Sequence, residues 1–375
     1  MKFKKSLMLV FTLLALTFSA VGVKPAYALT FPVTNNADSG AGSLRQAIID
    51  AEIAAPGPNT IAFTGNYTIT LLSQLPVVTT IIIVNGNGAA NTIVQASTCN
   101  PVTLPGACAP AGYRVFEVGA TGDLTLNSLT VRNGSCAGAC ATDANNGGGA
   151  YNLGLLTITN SAFSANTATN GGGVYNMDPA TLTVTNSTFS GNSATTNGGG
   201  ISNVDFTTLA SAVTNSTFSG NSAANGGGVY NGAGSALTIT DSAFSGNSAT
   251  INGGGVYNST GTTLPVAGST FSGNSATANG GGLFNLGAGA GFVTVAGSTF
   301  SGNSAANGGG AYNDAASTLD VITSTFSGNS ATKGGGVYNL GGVTFTDTTF
   351  SNNSATANGG GGYNDVAGTL TSLVR

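Results

Sequence analysis

One sequence unit recurs along most of the chain and constrains its fold more than any other feature. At residues 186–200 it reads NSTFSGNSATTNGGG. The phenylalanine of its FSxN core returns every 24–29 residues, at Phe163, Phe189, Phe218, Phe244, Phe271, Phe300, Phe326 and Phe350. A second signature, GGG followed by a small residue, usually an aromatic, and then Asn, ends at Asn152, Asn176, Asn203, Asn231, Asn258, Asn285, Asn313, Asn339 and Asn364. Such a period indicates stacked units that cannot bury an apolar face alone.

Within one unit the apolar residues follow the period of a β-strand. In the LTVTNSTFSGN segment at 182–192, Leu182 and Val184 alternate with threonines, which predicts a strand with one buried face. Phe189 falls out of phase with Val184, so the chain must bend at Asn186–Ser187. After the glycines, a third short strand is predicted with its Val inward and its Tyr outward. Three strands and three corners in about 27 residues describe one turn of an all-β parallel β-helix.

Stacking such turns places equivalent residues over one another at about 4.8 Å. We therefore expect the phenylalanines to stack inside as offset pairs and the asparagines to form ladders of side-chain amides at the corners. The glycines are expected where the backbone needs a positive φ or a close approach. Every repeated residue then has a structural role.

The two signatures resemble the FxxN and GGA[ILV] motifs of polymorphic outer-membrane proteins. The resemblance covers about residues 145–365 and implies a right-handed, single-stranded parallel β-helix of the pectin-lyase-like type. This fold hosts both polysaccharide lyases and adhesins, so the resemblance says little about activity.

The N-terminal residues have the pattern of a secretory signal peptide. Lys2, Lys4 and Lys5 precede an apolar run, and Ala26–Tyr27–Ala28 matches a cleavage site, so residues 1–28 are assigned to export. Removal of this segment leaves five basic and thirteen acidic residues, a net charge of −8. Without a cluster of basic residues, nucleic acid is not an expected partner. A secreted or outer-cell-surface location is predicted.

Residues 29–58 are predicted to form an N-terminal cap of a strand and an amphipathic helix. Ser43 and Gln46 fit a capping box, and Leu44, Ala47, Ile48 and Ala51 share one helical face. Such a helix would cover the apolar end of the solenoid. The stretch FPVTNNADSGAGSLRQAI also resembles the start of CSLREA-type bacterial surface proteins, which implies export and repeats but no known reaction.

Residues 59–144 read as irregular early turns with two insertions, and 145–375 as regular repeats. Cysteines bracket both insertions, at Cys99, Cys108, Cys136 and Cys140. In an exported protein four cysteines favour disulfides, of which the local pairs Cys99–Cys108 and Cys136–Cys140 are preferred among three connectivities. The chain ends inside a further turn, so we expect a truncated C-terminus and membrane association only through a missing C-terminal region.

The sequence is compatible with three functions. The favoured one is a non-catalytic stalk or adhesin-like module with no catalytic residue, metal or cofactor. The alternative is a polysaccharide lyase or glycoside hydrolase, for which Asp178 and Asp205 could stack near each other. Asp241 and Asp347 instead occupy the corner position held elsewhere by Asn186. The third candidate is ice binding by outward threonine pairs, although that row is interrupted, as at Asp320.

The best candidate contact surface is a row of aromatic residues in the slot before the ladder asparagine. Its members are Tyr151, Tyr175, Tyr230, Tyr257, Phe284, Tyr312, Tyr338 and Tyr363, with Ser202 as the gap. We call this row the tyrosine ladder. As an exposed strip it would bind a carbohydrate or a cell-surface protein. The other interpretation is that the rings stack along the sheet as packing.

Overall fold

Short parallel strands make up most of the chain in the computed structural model, which describes residues 28–54, 57–100, 102, 111–136, 140, 145–204, 210–287 and 291–373. The predicted signal peptide therefore lies almost wholly outside the described residues. The strands form a parallel β-solenoid of about 12 turns, which confirms the predicted fold class. Within the described residues the strands belong to four sheets, A to D, of 13, 11, 10 and 8 strands.

Sheet A carries the Leu182–Val184 segment of each repeat and extends from the first turn to the last. It consists of β1 (Thr30–Val33), β2 (Asn59–Phe63), β4 (Ile81–Asn85), β7 (Asp123–Asn127), β10 (Leu155–Thr159), β14 (Thr181–Thr185), β18 (Ser211–Thr214), β22 (Leu237–Thr240), β26 (Thr263–Ala267), β30 (Phe292–Ala296), β34 (Thr318–Ile322), β38 (Gly342–Thr346) and β42 (Thr369–Leu373).

Sheet B carries the core phenylalanines. It consists of β3 (Tyr67–Thr70), β5 (Thr92–Gln95), β8 (Thr130–Arg132), β11 (Ala162–Ser164), β15 (Thr188–Ser190), β19 (Thr217–Ser219), β23 (Ala243–Ser245), β27 (Thr270–Ser272), β31 (Thr299–Ser301), β35 (Thr325–Ser327) and β39 (Thr349–Ser351).

Sheet C carries the tyrosine ladder and the closing asparagines. It consists of β6 (Phe116–Val118), β9 (Ala150–Asn152), β13 (Val174–Met177), β17 (Ile201–Val204), β21 (Val229–Asn231), β25 (Val256–Asn258), β29 (Leu283–Asn285), β33 (Ala311–Asn313), β37 (Val337–Asn339) and β41 (Gly362–Asn364).

Sheet D lies between sheets B and C in each regular turn and was not predicted from the sequence. It consists of β12 (Thr167–Asn170), β16 (Ser193–Asn197), β20 (Ser222–Asn225), β24 (Ser248–Asn252), β28 (Ser275–Ala276), β32 (Ser304–Asn307), β36 (Ser330–Lys333) and β40 (Ser354–Asn358). Its register shifts between several neighbours, for example between Ala168 and Asn170. This segment consists largely of small Ser, Ala and Thr residues, so its strand gives no alternating apolar pattern in the sequence.

The core phenylalanines stack inside the solenoid as predicted. Phe189 pairs with Phe163 on one side and with Phe218 on the other, in register. Along the whole stack, ring centroids lie 4.5–5.2 Å apart and ring planes are within 16° of parallel. Seven of these rings, from Phe163 to Phe326, are fully buried. The phasing inferred from the repeat is therefore confirmed.

Two buried asparagine ladders run beside this apolar core. The closing asparagines are linked from Asn152 to Asn364 by amide-to-amide hydrogen bonds of 2.6–3.0 Å. In the second ladder, Asn247 of the FSxN motif donates to the Phe218 carbonyl oxygen at 3.0 Å and to Oδ1 of Asn274 at 2.9 Å. Because each amide both donates and accepts, these buried polar groups are satisfied.

The corner between sheets A and B has a left-handed backbone in each regular turn. The φ angles there are 49° at Asn160, 50° at Asn186, 47° at Asn215, 48° at Asp241, 57° at Gly268, 55° at Gly297, 46° at Thr323 and 49° at Asp347. Asn, Asp and Gly tolerate this conformation. Asp241 and Asp347 are therefore substitutions for a corner asparagine, as predicted, whereas Thr323 is strained.

Replacing Thr323 with Asn is expected to stabilise the protein by roughly 1 kcal/mol, because a β-branched residue at positive φ carries strain of that order. The control is Thr325→Asn, two residues later inside β35, where the strand favours Thr and no gain is expected. Urea denaturation midpoints measure both variants. Equal midpoints for the two variants would show that the corner conformation does not matter.

One helix, α1 (Leu44–Ile53), packs against β1, β2 and β4. Its buried residues are Leu44, Ala47, Ile48 and Ala51, the predicted face, and the N-cap Ser43 accepts a hydrogen bond from the Gln46 backbone amide. The second half of the predicted capping box is absent, because the Gln46 side chain donates to Asp50 instead. The role of α1 as an end cap and the handedness of the solenoid stay predictions.

The SLR motif at the start of α1 ties the helix to the early turns. Arg45 forms an ion pair with Asp38 at 2.7 Å and donates to the carbonyl oxygens of Ser73 and Gln74 at 2.8 and 2.6 Å. Asp38 in turn accepts from the Leu72 backbone amide, and these bonds hold the pKa of its carboxyl below the usual value against the opposing effect of burial. The motif is therefore structural.

Candidate functional site

The tyrosine ladder lies on the face of sheet C that points away from the phenylalanine core. In β13, Val174 is fully buried in the main core and Tyr175 lies on the opposite face. Successive rings stack face to face with centroids 4.8–5.6 Å apart, except that the last pair, Tyr338 and Tyr363, is tilted by 33°. The predicted side of the strand is therefore correct.

The predicted exposure of this strip is wrong. Tyr151, Tyr175, Tyr257, Phe284, Tyr312 and Tyr338 are 3–9% exposed, and only Tyr230 and Tyr363 are half-buried. Each ring covers the faces of its neighbours, and Leu286 and Leu340 pack against the stack. The ladder from Tyr230 to Tyr363 is thus a second hydrophobic cluster, and the packing interpretation accounts for the ladder better than a ligand-binding strip.

Ser202 interrupts the tyrosine ladder. Its Cα pairs in register with Tyr175 on one side and Tyr230 on the other, so one ring position is vacant between them. The Ser202 side chain is fully buried, and its hydroxyl has no hydrogen-bond partner. Residues 205–209, which follow β17, lie outside the described part of the chain.

Carboxylates and cations border the ladder. The Tyr338 hydroxyl donates to Oδ2 of Asp365 at 2.6 Å, which lowers the pKa of that carboxyl. The Arg114 guanidinium carbon lies 4.6 Å from the Tyr151 ring centroid, and the Lys333 ammonium lies 5.7 Å from that of Tyr363. A cation therefore lies over the terminal ring at each end, an arrangement that stabilises by about 0.5–2 kcal/mol depending on exposure.

Burial raises the pKa of four ladder phenols, so these phenols stay protonated above the pH at which a free tyrosine ionises. It raises the pKa of Tyr175, Tyr257 and Tyr338, and raises that of Tyr312 to about 12, with Asp314 adding to the effect on Tyr257 and Tyr312. For Tyr338 the hydrogen bond to Asp365 raises the pKa further. These phenols thus offer packing and hydrogen-bond donors, not nucleophiles.

We expect the protein to lose stability as pH rises above about 10, where tyrosines of the unfolded chain ionise. The folded-state pKa values are raised, so their stabilising contribution is complete below pH 10 and is lost as pH climbs through the folded pKa values. Tyr312→Phe, which copies Phe284, should flatten this loss. Ultraviolet titration of phenolate absorbance alongside denaturation measures it, and titration of every phenol of the folded protein near pH 10 would contradict burial.

The carboxylates proposed for catalysis are only partly placed. Oδ1 of Asp178 is buried and has no hydrogen-bond partner, whereas Asp205 lies outside the described residues. Asp314 lies near the tyrosine ladder instead. In the described residues, no group of three or more His, Cys, Asp and Glu side chains is placed to hold a metal ion.

Of the two predicted local disulfides, Cys136–Cys140 is present, with its Cα atoms 5.2 Å apart. Cys99 is also disulfide-bonded, but Cys108, its expected partner, lies outside the described residues. The Cys136–Cys140 disulfide fits the oxidising environment that the signal peptide predicts.

A family model matches the repeat that this geometry defines. Residues 186–204, 241–259, 268–286, 323–340 and 347–365 match the Chlamydia polymorphic membrane protein repeat. Five segments of the chain are thus similar to the repeat of polymorphic membrane proteins. Each match begins at the left-handed corner before sheet B and ends one residue after a closing asparagine, so the family unit coincides with three-quarters of a structural turn. These repeats indicate a surface or outer-membrane β-helix protein.

Other comparisons add little to the repeat match. A solved structure described as ORF18 of Geobacillus virus E2 is 13% identical, with 92% of this chain and 62% of that chain covered and a TM-score of 0.30. The chain thus spans less than two thirds of that protein, and a likeness at this TM-score carries no argument. A search of curated proteins finds no significant match.

No helix within the described residues has the length and apolar character needed to cross a membrane.

Proposed function

We propose that this chain is a non-catalytic stalk or adhesin-like module at the cell surface. The observation that carries the proposal is the coincidence of five polymorphic membrane protein repeats with the structural turn. About 12 turns at ~4.8 Å make a rod on the order of 58 Å long. Because every regular turn repeats the same core, such a rod can carry varied side chains on its faces without loss of stability.

The outer faces offer hydroxyl groups and few charges. On sheet B, Ser164 begins a column of eight serines, one per turn, that continues through Ser190, Ser219, Ser245, Ser272, Ser301, Ser327 and Ser351. Only 6% of all residues are charged. Hydroxyl and amide groups of this kind suit contact with a carbohydrate or with a polar protein surface, the two partners expected from the sequence.

Surface display and binding test the proposal together. Full-length protein in its host should be cleaved by protease added outside intact cells, and the purified chain should bind cells or a glycan array. It should release neither reducing nor unsaturated ends from pectin, alginate or glucans, with or without calcium. Turnover of any of these polymers that Asp178→Asn abolishes would overturn the proposal in favour of an enzyme.

A further inference from the structure

A groove of about 560 Å³ opens on the outer face of sheet B, beside the insertion that begins near Cys99. On sheet B and the corner after it, Arg132, Ser164, Ser190 and Gly191 line the groove, and Thr98, Asn100 and Val102 line it from the segment around Cys99. The volume falls within the ~300–1,000 Å³ range of ligand sites. The regular repeats alone do not form this groove, because Thr98, Asn100 and Val102 belong to the irregular early turns.

Arg132 is the charged group of the groove. It lies in register between Gln95 and Ser164, and its Nε donates to Oε1 of Gln95 at 2.8 Å. In the described part of the chain it makes no other hydrogen bond and has no carboxylate within 4 Å, whereas Arg45 and Arg114 are both ion-paired. The guanidinium is thus oriented by an amide, and its Nη donors remain available.

The corner column that follows sheet B lines part of the groove, and two of its three residues there are small. Ala165 and Gly191 hold that column with φ of 52° and 59°, and a Cβ at Gly191 would meet no atom within 4 Å. Asn133 begins the same column and donates from Nδ2 to the Ser97 carbonyl oxygen at 2.8 Å, which holds the segment at Ser97 against the corner. A ring-shaped ligand can therefore lie against the backbone.

We propose that this groove binds a carboxylate-bearing sugar residue of a glycan. The guanidinium matches a carboxylate with two parallel hydrogen bonds, and the Ser, Thr and Asn groups around it match sugar hydroxyls. The inference rests on the proposed adhesin function and names its ligand class.

The binding test uses a hyaluronan tetrasaccharide, which carries carboxylates, and chitotetraose as its neutral counterpart. We expect calorimetry to detect binding of the hyaluronan tetrasaccharide and no binding of chitotetraose. Arg132→Gln removes the charge and keeps a hydrogen-bonding side chain, and it should weaken binding about tenfold or more. Ser164→Tyr should fill the groove and abolish binding. The matched control Ser301→Tyr, in the same column but five strands away, should bind normally.

The outcomes distinguish a failure of the groove proposal from a failure of the proposed adhesin function. The proposed ligand of the groove would be wrong if the tetrasaccharide does not bind, if the neutral sugar binds equally well, or if Arg132→Gln leaves binding unchanged. Cell binding that persists in any of these cases would leave the adhesin proposal standing. Tetrasaccharide binding by a chain that binds no cells would support the groove and contradict the adhesin. Binding of a sulfated, carboxyl-reduced tetrasaccharide in preference would reassign the site to sulfate and overturn the carboxylate inference.

Discussion

An Ala in place of Gly227 is expected to destabilise the solenoid by about 3 kcal/mol or more, the upper range for overpacked sites. The added Cβ would lie 2.4 Å from the Ser248 carbonyl oxygen and 2.5 Å from that of Gly254. Both oxygens belong to the backbone of the next turn, which cannot retreat without opening hydrogen bonds such as that from the Gly227 amide to Gly253. The second glycine of the triplet is therefore required for turn-to-turn contact.

The matched control for this substitution is Gly220→Ala. Gly220 has φ of 60° and no atom within 4 Å of an added Cβ, so Ala there costs only the conformational penalty of about 1–2 kcal/mol. Hydrogen exchange should locate the loss of protection in Gly227→Ala at the two turns that meet there, and thermal denaturation should rank the variants. Equal destabilisation would mean that backbone conformation, and not close approach, explains the glycine triplet.

Loss of the Asn247 side chain should cost about 3 kcal/mol, although it leaves the apolar core intact. Asn247 is fully buried and donates to the Phe218 carbonyl oxygen and to Asn274, and its Oδ1 accepts from the backbone and side-chain amides of Asn221. Ala would remove four hydrogen bonds and leave the Asn221 backbone amide buried without an acceptor. A buried unsatisfied group costs about 1–3 kcal/mol by itself.

Asn225→Ala provides the comparison for Asn247→Ala. Asn225 is half-buried and donates to Asn197 at 3.3 Å, so water can replace that partner and we expect a cost below about 1 kcal/mol. Chemical denaturation of both variants measures the difference. If the two substitutions cost the same, the buried asparagine ladder would contribute no more stability than the half-buried one.

The repeat predicted the main core because identical residues in identical phase must stack. The register of Phe189 with Phe218, and the amide ladder through Asn203, both follow from one repeat length. The strands of sheet D were missed because Ser193, Ala194 and their equivalents give no apolar alternation. Repeat spacing thus predicts which residues of successive turns stack on each other, but it does not reveal every strand within a turn.

The candidate surfaces were less predictable, because the burial of an outward-facing residue depends on the segments that pack beside it. Period-two alternation correctly placed Tyr257 opposite Val256, but it could not show that flanking rings and Leu286 would cover it. The groove beside Arg132 was missed for a related reason, since part of its lining, at Thr98, Asn100 and Val102, belongs to early turns that lack the repeat. Only packing of these segments reveals which outward residues contact solvent.

Pulsed electron spin resonance distances between labelled turns test the stacking account most directly. Asp320 lies five strands from Thr183, six from Thr157 and seven from Thr125 along one column of sheet A. Cys substitutions at these positions can be labelled selectively, because Cys99, Cys136 and Cys140 are disulfide-bonded. Backbone separations of about 24, 29 and 34 Å are predicted, an increment of about 4.8 Å per turn. Unequal increments, or steps near 10 Å, would contradict a solenoid that advances by one strand for each repeat.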